Sequence, residues 1–343
     1  IGPRLVEDLR PYCPSAHLDD YDRFVAQTAE GRRVAEQMLA GSGYFDHPNF
    51  RTAGHHDPAA RLADYDHDGI AAGVLFHGSM NLEPIPFIPV SLGKATHVED
   101  RDLTAVGYQI YNRWQADFVA SNPHRHIGLA YLPMWDIDAA IAEVAWAHDN
   151  GLKAVNFPAM KDADPPEYNK RVWEPFWQAV EERGMPLVTH VGSATNAKYS
   201  GLESVALLQI ESGNFVSKRA IWWMIFAGVF DRFPRLKVVG AHGGGYLPAY
   251  IGRSDHTWRV RPEARSCARE PSSYLRNLWV DTVVFDRQRL ADLVRYMGAD
   301  RVMFGTDYPF DMADCRPDQV ASSLNEADRV AVMGGTAAAL FDL

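Results

Sequence analysis

Seven short apolar runs, spread over most of the chain, limit what it can fold into more than any other feature. They lie at 71–77, 127–133, 152–158, 186–192, 237–242, 278–284 and 302–307. Each is nearly continuous in Val, Leu, Ile, Ala and Phe instead of alternating with polar residues. That is the pattern of a strand covered on both faces. Patterns of helical period fill the gaps. Asp136 opens one that Gly151 stops, 170–183 ends at Gly184, and 287–297 ends at Gly298. An Asp start and a glycine stop are helix-boundary signals. Strand alternating with helix predicts a parallel α/β sheet.

How the runs end narrows this further. Three of them read Pro186-Leu-Val-Thr-His190, Lys237-Val-Val-Gly-Ala-His242 and Arg301-Val-Met-Phe-Gly-Thr-Asp307. Polar side chains at the carboxyl ends of successive parallel strands are how a (β/α)8 barrel builds its site on one face. The expected fold class is therefore α/β, a (β/α)8 TIM barrel, as one domain over 1–343. An open doubly wound sheet would alternate in the same way and is the competing architecture. A closed barrel needs eight strands, and seven runs are present. The absent strand is expected to be the first, upstream of Ile1, since 1–70 reads as loops and helical pieces such as 34–39. Residues 1–70 are expected as lead-in and insertion, with 41–58 overhanging the barrel mouth, and 311–343 as C-terminal helical closure.

A net charge of −10 and a pI near 5.7 offer no basic footprint for nucleic acid or an acidic membrane. The most apolar stretch, 220–230, is too short to span a bilayer as a helix. Cys13, Cys267 and Cys315 are few, distant and odd in number. No disulfide framework is expected, and a cytoplasmic setting is.

Imidazole is the commonest side-chain ligand of zinc and its neighbours. His190, at a strand's end before Gly192-Ser193, suits that role, the alternative being a packed core histidine. Asp307 can bind a metal and accept a proton from bound water, or simply cap the next helix. His242 opens His-Gly-Gly-Gly245. A lipase-type oxyanion hole would need a G-x-S-x-G elbow, and a phosphate loop a Lys-Ser/Thr pair; the chain has neither. That leaves a catalytic imidazole beside glycines that admit substrate closely. His124-Arg-His126 precedes its strand and belongs to the stability face. His77 ends a strand and could line the pocket, with His55-His56 weaker candidates. Trp222-Trp223 is expected in the core or at a subunit contact.

Three blocks carry a resemblance. They are Gly228-Val-Phe-Asp-Arg-Phe-Pro-Arg-Leu-Lys-Val-Val-Gly-Ala-His-Gly-Gly-Gly245 with Ile251-Gly-Arg253, Val302-Met-Phe-Gly-Thr-Asp-Tyr-Pro-Phe310, and Met333-Gly-Gly-Thr-Ala-Ala-Ala-Leu-Phe341. With them the chain resembles the amidohydrolase superfamily (amidohydrolase family 2), in the branch of aminocarboxymuconate semialdehyde decarboxylase and related nonoxidative decarboxylases. The resemblance implies that His190 and Asp307 bind a divalent ion and that His242 carries protons without ligating it. It implies that Arg253 binds a substrate carboxylate, in its own subunit or from a neighbouring one. Arg51 stands near the family's second carboxylate-binding arginine, at a shorter spacing from Asp57-Pro58. The family's first strand ends in an H-x-H pair that completes the metal site, and that pair is expected upstream of Ile1.

The expected function is a metal-dependent nonoxidative decarboxylase, a carbon-carbon lyase, acting on a small carboxylated aromatic or unsaturated acid. Zinc is the first expectation for the ion and manganese the second, since His plus carboxylate suits either. The same barrel could hydrolyse a lactone, amide or C–C bond, with Asp307 carrying the proton. A catalytically dead barrel acting as a binding module is the rival from another class. A homodimer or higher homo-oligomer is the expected assembly.

Overall fold

A computed structural model describes residues 1–39, 52–78, 83–88, 100–157, 167–190, 215–310, 312–314 and 316–343. Each of the seven apolar runs overlaps a strand: β1 Gly73–Leu75, β2 His126–Ala130, β3 Ala154–Asn156, β4 Leu187–Thr189, β5 Val238–Gly240, β6 Leu278–Asp281 and β7 Val302–Met303. Every neighbouring pair is parallel, and the order in the sheet is the order in the chain. A doubly wound sheet reverses its strand order at a switch point; this one does not, so it is the wall of a (β/α) barrel. Among the described residues the wall has seven strands, and β7 is not paired with β1.

The strands are shorter than the runs, because only two to five residues of each pair. His190, His242 and Asp307 lie just beyond the paired residues of their runs. That the sheet curls is shown by Phe76, just past β1, whose ring lies 4.6 Å from that of His190, just past β4. Strands three apart in a flat sheet would stand roughly 14 Å from each other.

Alternation sorts the side chains into two layers. Val74, Ile127, Leu129, Val188, Val239 and Met303 point inward and form one cluster, joined by Leu340 and Phe341 near the C-terminus. Leu75, Val155, Leu187, Val238, Val280 and Val302 point outward into a larger cluster shared with the helices. Its densest part is aromatic: Phe157, Tyr168, Trp173, Phe176 and Trp177 are all buried, with Phe157 and Tyr168 ring centroids 4.4 Å apart.

The helices are α1 Leu18–Leu39, α2 Pro58–Asp68, α3 Arg101–Ala120, α4 Ile137–Asp149, α5 Glu174–Glu182, α6 Arg219–Phe226, α7 Leu247–Val260, α8 Arg287–Met297 and α9 Thr336–Phe341, with shorter turns between them. Side chains of Asp57, Asp100, Asp136 and Asp286 cap α2, α3, α4 and α8 by accepting a backbone N–H. Two expectations are corrected. The piece at 34–39 is the end of a 22-residue helix. The helix expected from 170 begins at Glu174 after a 3-10 turn at Arg171–Trp173, with Pro175 at its start, where the ring's missing N–H costs nothing. The expected overhang at 41–58 lies largely outside the described residues. No helix among the described residues is long and apolar enough to cross a membrane.

Candidate metal centre

The inward parity that places Val188 in the barrel also places His190 there, one residue beyond β4. His242 follows β5 by two residues and Asp307 follows β7 by four. One potential ligand atom from each of the three lies within 4.8 Å of the others. His242 Nε2 is 3.1 Å from His190 Nε2 and 3.9 Å from Asp307 Oδ1. Residues 117 and 65 positions apart thus meet at one point of the mouth. His190 is fixed on two sides, by the Phe76 ring tilted at 38° and by the edge of His242, 4.7 Å away at 76°.

The backbone behind His242 is unusual. His242, Gly243, Gly244 and Gly245 have φ of 58°, 61°, 73° and 59°, four successive left-handed residues. For an L-residue that conformation costs roughly 1–2 kcal/mol, and glycine escapes it. A Cβ on Gly243 would stand 2.4 Å from Val284 Cγ1, and one on Gly244 2.7 Å from Val280 Cγ1. The glycines therefore serve a left-handed turn packed on β6, which is a different reason from the room for substrate expected of them. Asp307 is left-handed as well, with φ 59°. Backbone strain of this kind persists where surrounding structure enforces it, often at functional sites.

The enforcing group is Asp281, the last residue of β6. Its Oδ2 accepts from the His242 N–H at 2.9 Å, and its Oδ1 from Gly243 at 2.8 Å and Val283 at 3.0 Å. Sequence reasoning passed over it. It ends β6 but stands inside the apolar run 278–284, not at its end.

Burial, reinforced by the nearby Lys218 charge, pushes the His242 imidazole down to about 4. It is neutral at neutral pH, and its Nε2 can either donate or accept a proton toward His190.

Other expected residues fall elsewhere. Arg253 is exposed on α7 and lines an outer groove of about 700 Å³ with Arg219, Trp222, Tyr246 and Tyr250. Its side chain makes no ion pair with the cluster. Arg51 lies outside the described residues. His126 begins β2 at the opposite end of the sheet, fully buried, as the stability-face reading expects. His77 stacks edge-on against Tyr111 of α3 at 5.1 Å, and burial pushes it down to about 3. Its other ring neighbour, Tyr131 just past β2, lies 6.2 Å away. Trp222 and Trp223 pack against the outer core.

Two imidazoles and a carboxylate form a donor set that divalent metals accept. With bonds of about 2.1 Å, two donors on one ion stand up to about 4.2 Å apart. The observed spacing needs only small side-chain rotations, so the residues fit the group.

A parallel barrel wall with such donors at its strand ends defines a class, the barrel enzymes that work through a divalent metal. Residues 88–343 match the profile of the amidohydrolase family. The 2-amino-3-carboxymuconate-6-semialdehyde decarboxylase of Dictyostelium discoideum is 30% identical over 300 residues, covering 82% of this chain and 75% of that protein. The gamma-resorcylate decarboxylase of Rhodococcus jostii is 31% identical over 243 residues, 66% of this chain and 74% of that one. The solved dihydroxybenzoic acid decarboxylase of Polaromonas sp. JS666 holds manganese and the inhibitor 2-nitroresorcinol. It shares the fold, with a TM-score of 0.64 over 82% of this chain and 85% of that chain, at 24% identity. The chain belongs to the amidohydrolase family, in the branch that contains these decarboxylases. It is an enzyme, and metal-dependent decarboxylation is the activity its relatives support.

Proposed function

We propose that the substrate is a small aromatic carboxylic acid, decarboxylated at the His190–His242–Asp307 cluster. The observation that carries this is the convergence of those three side chains within 4.8 Å at the mouth. In the proposed division of labour, His190 and Asp307 hold the ion and His242 stays outside its first shell. A bound divalent ion supplies Lewis acidity toward substrate oxygens. Loss of CO2 leaves an electron pair on a ring carbon, and that carbon must take up a proton. His242, neutral and 3.9 Å from Asp307, is proposed to relay it, one ring nitrogen giving its proton to the carbon as the other takes one from solvent. General acid–base catalysis of this kind contributes roughly 10²–10⁴-fold. Both zinc and manganese suit the donors, and manganese, bound by the Polaromonas relative, should be tested beside zinc.

Arg253 is exposed on α7 and lines a groove with Trp222 and Tyr250, and we propose that it serves a site across an interface. We place a second copy of the chain on that groove, with Arg253 gripping the carboxylate of substrate in the partner's mouth by paired hydrogen bonds. Arg51 is proposed as the second carboxylate-binding arginine. The test is metal-reconstituted protein incubated with 2,6-dihydroxybenzoate and a panel of aromatic acids, lactones and amides. Metal-dependent CO2 release supports the reading. Hydrolysis without CO2 assigns the site to the hydrolase alternative. Neither reaction, with no bound metal, leaves the binding module.

A further inference from the structure

Tyr308 directly follows Asp307, and the lead-in segment grips its side chain. The hydroxyl donates to Asp64 Oδ2 of α2 at 2.5 Å, across 244 residues of chain. Thr52 Oγ1 donates to the same oxygen and accepts from the Gly54 N–H at 3.0 Å. The Arg61 guanidinium lies 4.9 Å from the centre of the Tyr308 ring and 5.2 Å from that of Tyr65, a cation–π arrangement.

Two features mark this socket as built for its occupant. Arg61 is 4% exposed, and burying a guanidinium is costly unless its donors are satisfied. Its Nε donates to the Tyr65 hydroxyl at 2.8 Å and its Nη1 to the Gly54 carbonyl at 3.0 Å. Gly54 has no room for a side chain: a Cβ there would stand 2.5 Å from Asp64 Oδ2 and 2.6 Å from the Tyr308 hydroxyl. Helix α2 also reaches β1, where a Cβ on Gly73 would collide with the Tyr65 hydroxyl. It thus bridges β1 to the turn after β7, the two ends of the wall that are not paired with each other.

That turn needs holding. Asp307 is left-handed, with φ 59°, a conformation that persists where the surroundings enforce it. Within the turn, the Tyr308 N–H donates to Thr306 Oγ1 at 3.1 Å and the Phe310 N–H to the Asp307 carbonyl at 2.9 Å. Both bonds are local, whereas the Tyr308 hydroxyl ties the turn to α2.

We propose that Tyr308 is a positioning residue: its hydroxyl, seated on Asp64, fixes the Asp307 turn so that the carboxylate is preorganised to bind the metal. In this role it touches neither metal nor substrate. The proposal rests on the reading of Asp307 as a metal ligand, and its test lets the two fail separately.

Tyr308→Phe removes only the hydroxyl oxygen. Mn2+ affinity of the whole protein, measured by titration, should weaken roughly 10–100-fold, as when an outer partner of a metal ligand is lost. Asp64→Ala should weaken it similarly, and the double variant should lose less than the sum, because both changes break one contact. Amide exchange at Phe310 should quicken in each. Tyr274→Phe is the control, since it deletes a hydroxyl bonded to Asp231 at 2.6 Å in the segment leading into β6. It should lower the melting temperature without changing Mn2+ affinity or Phe310 exchange. Unchanged affinity in Tyr308→Phe, additive losses in the double variant, or an equal loss in Tyr274→Phe would overturn the proposal. If Tyr308→Phe does not fold, Asp64→Ala is read in its place, and failure of both also overturns it. If Asp307→Asn binds Mn2+ as the wild type does, the metal reading of Asp307 has failed instead. Phe310 exchange then decides the socket alone: faster exchange supports it, and unchanged exchange rejects it.

Discussion

His242 and His126 occupy opposite ends of the sheet and share one electrostatic property. Burial pushes both imidazoles down to about 4. Their neighbours differ. His242 meets a second imidazole and a carboxylate at strand ends, whereas His126 lies between the Tyr65 and Phe118 rings with neither ring nitrogen partnered among the described residues. A perturbed pKa nominates functional residues, but here it nominates both ends equally. Convergence of donors separates them, and in a parallel barrel it occurs at the carboxyl ends. One end is built for chemistry and the other for stability.

The largest effects should come from breaking the convergence. His190→Ala and Asp307→Asn should each remove the ion and reduce CO2 release to background, measured by metal analysis beside the assay. Next, His242→Gln should keep the metal while kcat drops roughly 10²–10⁴-fold. Loss of metal in that variant would make His242 a ligand.

The stability end is probed by pH. The His126 imidazole has a folded pKa near 4 against an ordinary 6.5, so between those values the unfolded chain binds a proton that the folded chain refuses. Its contribution is complete above about pH 6.5 and is lost as pH falls toward 4. That amounts to about 3 kcal/mol. His126→Phe should flatten this part of the melting curve against pH while leaving turnover at pH 7 unchanged. An equally steep curve in the variant would move the effect to other groups.

The smallest contrast compares two glycines. Gly244 is left-handed and crowded, whereas Gly151 is left-handed at 84° with open space where a Cβ would go. Gly244→Ala should cost about 1–3 kcal/mol and reduce activity. Gly151→Ala should cost only about 1 kcal/mol and leave activity alone. Equal effects on denaturation and turnover would mean that the His242 turn tolerates a side chain.

The wall was legible because parallel strands buried on both faces must be apolar throughout, and the runs alternate with segments of helical period. The three converging residues were legible for the same reason, each closing such a run. Other features were hidden by their physics. Among the described side chains of helix α1 most are exposed, and Tyr21 is the only large one fully buried, so its apolar period is weak. Asp281 sits inside the apolar run 278–284, where a carboxylate reads as an interruption until its three N–H donors are seen. The Gly243–Gly245 run was visible, but the need for left-handed backbone depends on Val280 and Val284, far away in sequence. The outward placement of Arg253 depends on which face of α7 packs inward.

The most direct test of the central claim is the anomalous diffraction of a crystal soaked in Mn2+. A single strong peak is predicted at about 2.0–2.3 Å from His190 Nε2 and from a carboxylate oxygen of Asp307. An enzyme that releases CO2 while its metal peak stands elsewhere, or bridges neither side chain, would contradict it.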